Sequence, residues 1–360
     1  MSKQDPKGCS SQTDNKDKYS YFLTSKDYKV FEVEKLHFCS WLYKNGRECV
    51  EIGLQIKLKE SFNQICLDDS GKIRRLPLTV WIPWVIEGDG VRSLYKEISN
   101  KENAQFIFND ACPTSTNIGD WGDVFGQVLE FKHRGVLGVM PFDIKTADGH
   151  VDLDIRVLDG YQTKDPIYVR FVLPVLDSRP TFHLKTVTND VYAYNVNVGQ
   201  LRNAPDDFPV DERCCLKDVF CIHIVPSSYC QTFSDPHAFV NLRFLEVDHY
   251  KKYVANQDCF ERNITQDKYI VSFNKITSPD EKASQANAYN FFSLFTKDCI
   301  GTKQIWYSIL INIGCAILLS VVSFLCSWWI SSIYKNQKVM DCNPMATSCR
   351  TNANACSTVH

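Results

Sequence analysis

Twenty-nine consecutive residues, Ile305 to Ile333, carry no charge: IWYSILINIGCAILLSVVSFLCSWWISSI. Coiled as an α-helix at 1.5 Å per residue, the run is about 43 Å long, more than the roughly 30 Å of hydrocarbon in a bilayer. Trp306 and Tyr307 stand near one end, Trp328 and Trp329 near the other. As helix they lie about 33 Å apart, where the interfacial belts of a membrane hold aromatic rings. Lys303 and Lys335 bracket the run. A segment this long and apolar is hard to hide in a soluble core, so residues 305–333 read as one transmembrane helix with the lipid bilayer as partner. The mean hydropathy of the whole chain, −0.24, resembles a soluble protein only because every other segment is ordinary.

Within the run, Ala316, Ser320, Ser323, Ser327 and Ser331 recur at spacings of three and four. That spacing gathers small residues into one stripe, a face that admits a partner helix or a second copy. The competing reading is local: each hydroxyl bonds back to a carbonyl of its own helix.

The N-terminal stretch MSKQDPKGCSSQTDNKDKYS has no apolar core of a signal peptide, and Ser follows Met where myristoylation needs Gly. A polar-surfaced region followed by a lone late helix has the layout of a tail anchor, with residues 1–304 expected on the cytosolic side. Lys297 and Lys303 before the helix, against Lys335, Lys338 and Arg350 after it, do not set an orientation. Eleven of the sixteen Cys precede the helix, Cys315 and Cys326 lie in it, and Cys342, Cys349 and Cys356 follow at sevenfold spacing. An odd eleven cannot all pair within one domain, which favours reduced thiols. The sequon Asn263-Ile264-Thr265 argues the other way, since Asn263 would be glycosylated in a lumenal or extracellular domain.

The chain carries 40 Lys and Arg against 42 Asp and Glu, and the first 304 residues alone carry a net charge of −4. Such a body offers no basic face to nucleic acid or anionic lipid, so attachment falls to the helix.

Strand signals fill the region before it. Val50-Glu51-Ile52-Gly53-Leu54-Gln55-Ile56-Lys57-Leu58 and Val151-Asp152-Leu153-Asp154-Ile155-Arg156-Val157 alternate without fault, each predicting a strand with one buried and one wet face. Further strands are expected at 78–86, 105–108, 128–131, 136–145, 167–176, 182–187, 191–198, 219–225, 242–247 and 269–276. Helices are expected only at 92–99 and 280–295. The fold class is therefore mainly β: an antiparallel sandwich-like region, one large unit or two smaller ones, followed by the single helix. Residues 1–28 read as a disordered polar leader and 29–276 as the β-rich region, with an internal boundary placed near 158–165. Residues 277–304 read as a linker or short helix, and 334–360 as a polar Cys-containing tail. Pro83, Pro141 and Pro174 interrupt apolar runs and mark edges, bulges or bends.

Catalytic signatures are missing: no phosphate loop, no dinucleotide fingerprint, no His-Glu-x-x-His and no Gly-x-Ser-x-Gly. Two clusters remain. His150, Asp152 and Asp154 share one strand face. They could hold a divalent cation or run acid–base chemistry if Asp143 or His133 converged on them; otherwise they are a solvated face. Cys215, Cys221, His223, Cys230 and His237, with Cys214 beside them, offer ligands for structural zinc. Their spacing matches no familiar zinc module, and the plainer reading is buried thiols beside a satisfied histidine. The loops at 109–126, with Trp121, and 202–218, with Asp206, Asp207, Asp211 and Glu212, are candidate recognition elements. The function expected is a single-pass, membrane-anchored β domain serving binding, sensing or assembly, with no resident cofactor. The alternatives are a membrane-tethered metal-dependent hydrolase and a cell-surface or viral attachment ectodomain.

Overall fold

The computed structural model describes residues 20–298, apart from 44–45, 70, 89, 113, 119–125, 160, 162–163, 176–180, 187–188, 247–252, 254–267 and 278–287, together with residues 302–340. The chain is mainly β strand in three sheets and has one long apolar helix near its C-terminus.

A central hairpin joins β2 (Phe31–Leu42) to β3 (Glu48–Leu58), antiparallel from Phe31 opposite Leu58 to Leu42 opposite Glu48. Its turn closes as Tyr43 N–H donates to Arg47 O at 2.8 Å. Gly46 sits there at φ +83°, a left-handed conformation that glycine adopts without a Cβ clash. Val50, Ile52, Leu54, Ile56 and Leu58 face the main core, as alternation requires. The other face of β3, which the pattern assigns to water, is buried as well: Glu51 has no exposure and Gln55 is buried. Position explains this. β3 is central in a ten-stranded sheet, and its second face packs beneath Ile98 of α1 (Tyr95–Ser99) and Ala104 and Phe108 of α2 (Lys101–Phe108).

That large sheet runs β16 (Phe239–Phe244), β17 (Tyr269–Thr277), β14 (Leu216–Pro226), β2, β3, β11 (Ile167–Val175), β8 (Gly135–Val139), β7 (Gly126–Phe131) and β6 (Thr114–Ile118), with β5 (Arg92–Ser93) beside β11. Two pairings are parallel, β14 with β2 and β11 with β8; the other pairings are antiparallel. A second sheet orders β1 (Phe22–Thr24), β4 (Ile73–Trp81), β10 (His150–Leu158) and β9 (Phe142–Ala147). A third orders β12 (Thr181–Lys185), β13 (Asn189–Val198), β18 (Tyr289–Asp298) and β15 (Cys230–Ser234). Both small sheets lie on the same face of the large one. Leu76, Leu78, Val80, Val151, Leu153 and Ile155 pack there, and so do Val196, Val198, Tyr289 and Phe291. Each such side chain contributes about 1.5–3 kcal/mol on leaving water. Tyr192, Tyr194 and Phe295 meet Leu42, Val225 and Ile270 in an adjoining cluster.

Several local expectations are corrected. Residues 105–108 belong to helix α2, because the Asn100 side chain caps it, accepting from Glu102 N at 2.9 Å and Asn103 N at 3.3 Å. The helix expected at 280–295 is, from Tyr289 onward, strand β18; 278–287 lies outside the described residues. The run 136–145 divides into β8 and β9 at Met140-Pro141, and β4 stops at Trp81, two residues before Pro83. Pro174 is not on an edge strand. It faces Cys49 of β3 on one side, beyond the residues where β11 pairs with β5 and β8, so its missing N–H leaves no ladder bond unmade. Of the expected leader, 20–28 is built into the fold: Tyr21, Phe22 and Leu23 are buried and β1 pairs with β4.

Residues up to Asp298 form one unit and those from Cys299 another. In the second, α3 runs from Thr302 to Met340, and its stretch Ile305–Lys335 is long and apolar enough to cross a membrane. Trp306, Tyr307, Trp328 and Trp329 are exposed on it.

Candidate functional site

The third sheet carries an unusual second face. In β13, Tyr192, Tyr194, Val196 and Val198 point inward, which turns Val191, Ala193 and Asn195 outward. In β18, Phe291, Ser293 and Phe295 point inward, leaving Phe292 and Leu294 outward. Register places Phe182 of β12 opposite Ala193, Leu184 opposite Val191 and Phe292 opposite Asn195. The outward side chains are thus nearly all apolar, and Phe182 is 63% exposed. With Tyr21, Pro83 and Trp84 they line an open groove of about 610 Å³, within the usual range of small-molecule sites. Among the described residues, no charged side chain lines it. Tyr21 and Trp84 are fixed together, the Trp84 indole N–H donating to the Tyr21 hydroxyl at 2.9 Å, and Tyr21 meets Phe38 edge-on at 5.3 Å.

A titratable group stands behind one end of the groove. Thr181, at the start of β12, donates its hydroxyl to Glu48 Oε2 at 2.8 Å. Burial pushes the Glu48 carboxyl up to about 7, against the lowering effects of the Thr181 hydrogen bond and the nearby His183. His183 stacks on Tyr192 at 4.1 Å and pairs with Asp190, which also accepts from the Tyr229 hydroxyl at 2.9 Å. Burial raises the Asp190 carboxyl, but the His183 and Tyr229 hydrogen bonds outweigh it and hold it below the ordinary value.

The His150, Asp152 and Asp154 cluster lies on β10 as the alternation requires. His150 Nε2 is 3.8 Å from Asp152 Oδ2, yet the carboxylates are already engaged. Asp152 accepts from the Thr79 hydroxyl at 2.6 Å, Asp154 pairs with Arg75, and Asp143, opposite Asp154, pairs with Arg156. His133 pairs with Asp110 instead. Among the described residues, these carboxylates are engaged in cross-strand pairs.

In the second cluster, Cys221 and His223 share the inward face of β14 and are fully buried, while Cys230 and His237 are exposed and Cys215 is intermediate. His223 Nδ1 lies 2.6 Å from Ser40 Oγ, its ring sits against Tyr194 and Phe291, and burial alone lowers it to about 3. Burial pushes the Cys221 thiol far up. Among the described residues, no three His, Cys, Asp or Glu side chains gather as a metal-holding group. In the helix stripe, Ser320 Oγ donates to Ala316 O at 2.8 Å, the local bonding that competes with interhelical use. Asn263, Trp121 and the tail cysteines lie outside the described residues.

One polar assembly has no counterpart in the sequence reading. On the covered face of the large sheet, Arg170 Nε donates to Glu51 Oε2 at 2.8 Å with Nη2 on the same oxygen, and the Tyr253 hydroxyl donates to it at 2.9 Å. Arg170 Nη1 also reaches the Tyr168 hydroxyl at 3.2 Å, and that hydroxyl lies 3.0 Å from His37 Nδ1. Burial, then the Arg170 charge, drive His37 well below its ordinary value. Burial opposes the charge on Arg170, but Glu51 overrides it and holds the guanidinium protonated. The Tyr168 ring sits over Gly53, where an added Cβ would fall 2.0 Å from the phenolic oxygen. The assembly is sealed, and its role is to satisfy buried charge.

No family model matches the chain, and no curated protein matches it. Among solved structures, an M1 zinc metallopeptidase from Deinococcus radiodurans is similar at 11% identity and a TM-score of 0.28, and a mutant of it bound to a Tyr-Ser-Ala substrate at 9% and 0.27. A two-domain M1 zinc metallopeptidase mutant bound to L-arginine is similar at 8% and 0.27. Each similarity covers 76% of this chain and 43% of the other, so the chain spans less than half the length of the structures it matches.

Proposed function

We propose that the chain is a single-pass membrane protein whose β unit is a binding module for an uncharged, apolar ligand. The observation that carries this reading is the open groove of about 610 Å³, with no charged side chain among its described lining residues, on a unit followed in the same chain by a membrane-length helix. The helix supplies localisation, and the groove supplies recognition. Its small-residue stripe adds a face for self-association.

The β unit faces the cytosol in this proposal. The support is the count of cysteines before the helix: eleven cannot all pair within one domain, which favours the reduced thiols of a reducing compartment. Protease treatment of sealed vesicles, with a tag at each terminus, tests the side. Digestion of the β unit from the cytosolic face is expected, and its protection overturns the placement.

The binding reading is tested on full-length protein in nanodiscs, by thermal shift against a panel of neutral apolar compounds. Stabilisation of the parent is expected and should be lost in Ala193→Trp, which fills the groove. A panel without effect, or an equal effect on both proteins, overturns the reading.

A further inference from the structure

The ligand class follows from what the groove is made of and from what it is tied to. Phe182 and Leu184 on β12 and Phe292 on β18, the two strands that flank β13, are 63%, 47% and 42% exposed, an apolar face of the kind that soluble surfaces avoid unless something covers it. Among the described residues no lining side chain is charged, so the lining favours an uncharged group. Asn195 is the exposed amide in the lining, a donor suited to a carbonyl oxygen.

The chain's own covalent length supplies the occupant. Leu294, which lines the groove, is four residues before Asp298, and three residues separate Asp298 from Thr302, the first residue of the long helix. Fully extended, Leu294 to Thr302 spans at most about 28 Å, close to one hydrocarbon thickness. A bilayer that holds the helix therefore presents acyl chains to this groove at the high effective concentration of a short tether.

Resting on the proposal that the β unit is a binding module, we infer that the groove takes an acyl chain of a bilayer lipid, with Asn195 toward the ester carbonyl. The charged headgroup stays outside, where the lining has nothing to neutralise it.

The test uses full-length protein in nanodiscs containing a phospholipid with a photoreactive diazirine near the end of one acyl chain. After irradiation, labelled peptides are mapped by mass spectrometry. Label is expected on the groove peptides bearing Phe182, Ala193 and Phe292 as well as on the helix. In Ala193→Trp and in Leu184→Glu the groove label should be lost while the helix label stays. Leu184 is half exposed, so its charged replacement stays hydrated in an empty groove, and an unchanged far-UV circular dichroism spectrum verifies the fold. Label confined to the helix overturns the lipid proposal. So does label on Phe182 without label on Ala193, which means surface contact only. If lipid label is absent while a soluble neutral compound still shifts the melting temperature, the lipid proposal falls and the binding reading stands. If the protein is instead dimeric in solution and Ala193→Trp and Leu184→Glu both make it monomeric, the face is a dimer contact and both readings fall.

Discussion

Glu51 and Arg170 give the sharpest test of how this β unit holds together. Both side chains are sealed, Glu51 with no exposure and Arg170 with 3%. One carboxylate oxygen accepts from two nitrogens of Arg170 and from Tyr253. Removing one partner strands the other charge in a medium that cannot solvate it, a loss of about 3–5 kcal/mol. Glu51→Gln keeps the shape and deletes the negative charge; Arg170→Met deletes the positive one. Each single variant should therefore lose about 3–5 kcal/mol, while the double variant should lose clearly less than the sum, because no unpaired charge remains. For a unit of this size 1 kcal/mol moves the melting temperature by roughly 2–4 °C, so each single variant should melt about 6–20 °C below the parent. The assay is thermal unfolding of the full chain in nanodiscs, followed by tryptophan fluorescence, with Trp41 buried on the same covered face. If either single variant costs less than about 1 kcal/mol, as exposed pairs do, the pair is hydrated and the reasoning fails. Additive losses in the double variant would equally refute the pairing argument.

Other outcomes follow from the same geometry. Gly53→Ala drives a methyl to 2.0 Å from the Tyr168 oxygen, so the ring must leave its place between His37 and Arg170; a loss of about 1–3 kcal/mol is expected by thermal melting, and Tyr168→Phe should restore little. Glu48 has a folded pKa raised from 4.5 to about 7, so the folded state binds the extra proton. Its stabilisation is full below pH 4.5 and is lost as pH rises through 7, at most about 3 kcal/mol in a partly buried site. Glu48→Gln should flatten the pH dependence of melting in that window, and unchanged profiles would refute the assignment. Asp152→Asn and Asp154→Asn remove partners from exposed cross-strand pairs and should each move stability by less than about 1 kcal/mol; a larger loss would mean that this face carries more than solvated pairs.

The helix was legible because an uncharged run needs no tertiary context, and β3 and β10 because their alternation is unbroken. β2 was not legible, and its bulge explains why. The register shifts between Val33 and Lys35, so Phe31 and Val33 and then Leu36 and Phe38 face the same core across an extra residue, and the period of two disappears from the sequence. The burial of Glu51 was hidden for another reason. Alternation reports two faces, but only the neighbouring helices decide whether the polar one meets water.

β18 is the instructive failure. Tyr289-Asn290-Phe291-Phe292-Ser293-Leu294-Phe295 places apolar residues at spacings that suit a helix, yet the segment is a strand with Phe291 and Phe295 inside and Phe292 and Leu294 outside. A strand at a simple core-to-water boundary would show polar residues on its outer side. Apolar residues on both sides imply two apolar environments. The structure supplies one, the core against the large sheet, and leaves the other as a groove. Neighbouring β12 and β13 repeat the pattern, with Phe182, Leu184, Val191 and Ala193 turned the same way. None of these outward side chains is needed to hold the sheet on the core, and each adds a liability to aggregate if it stays open to water. Their grouping on three strands, ending three residues before a membrane-length helix, is the observation on which the proposed binding role rests. The feature that obscured the strand in the sequence is the one that gives the site its chemistry.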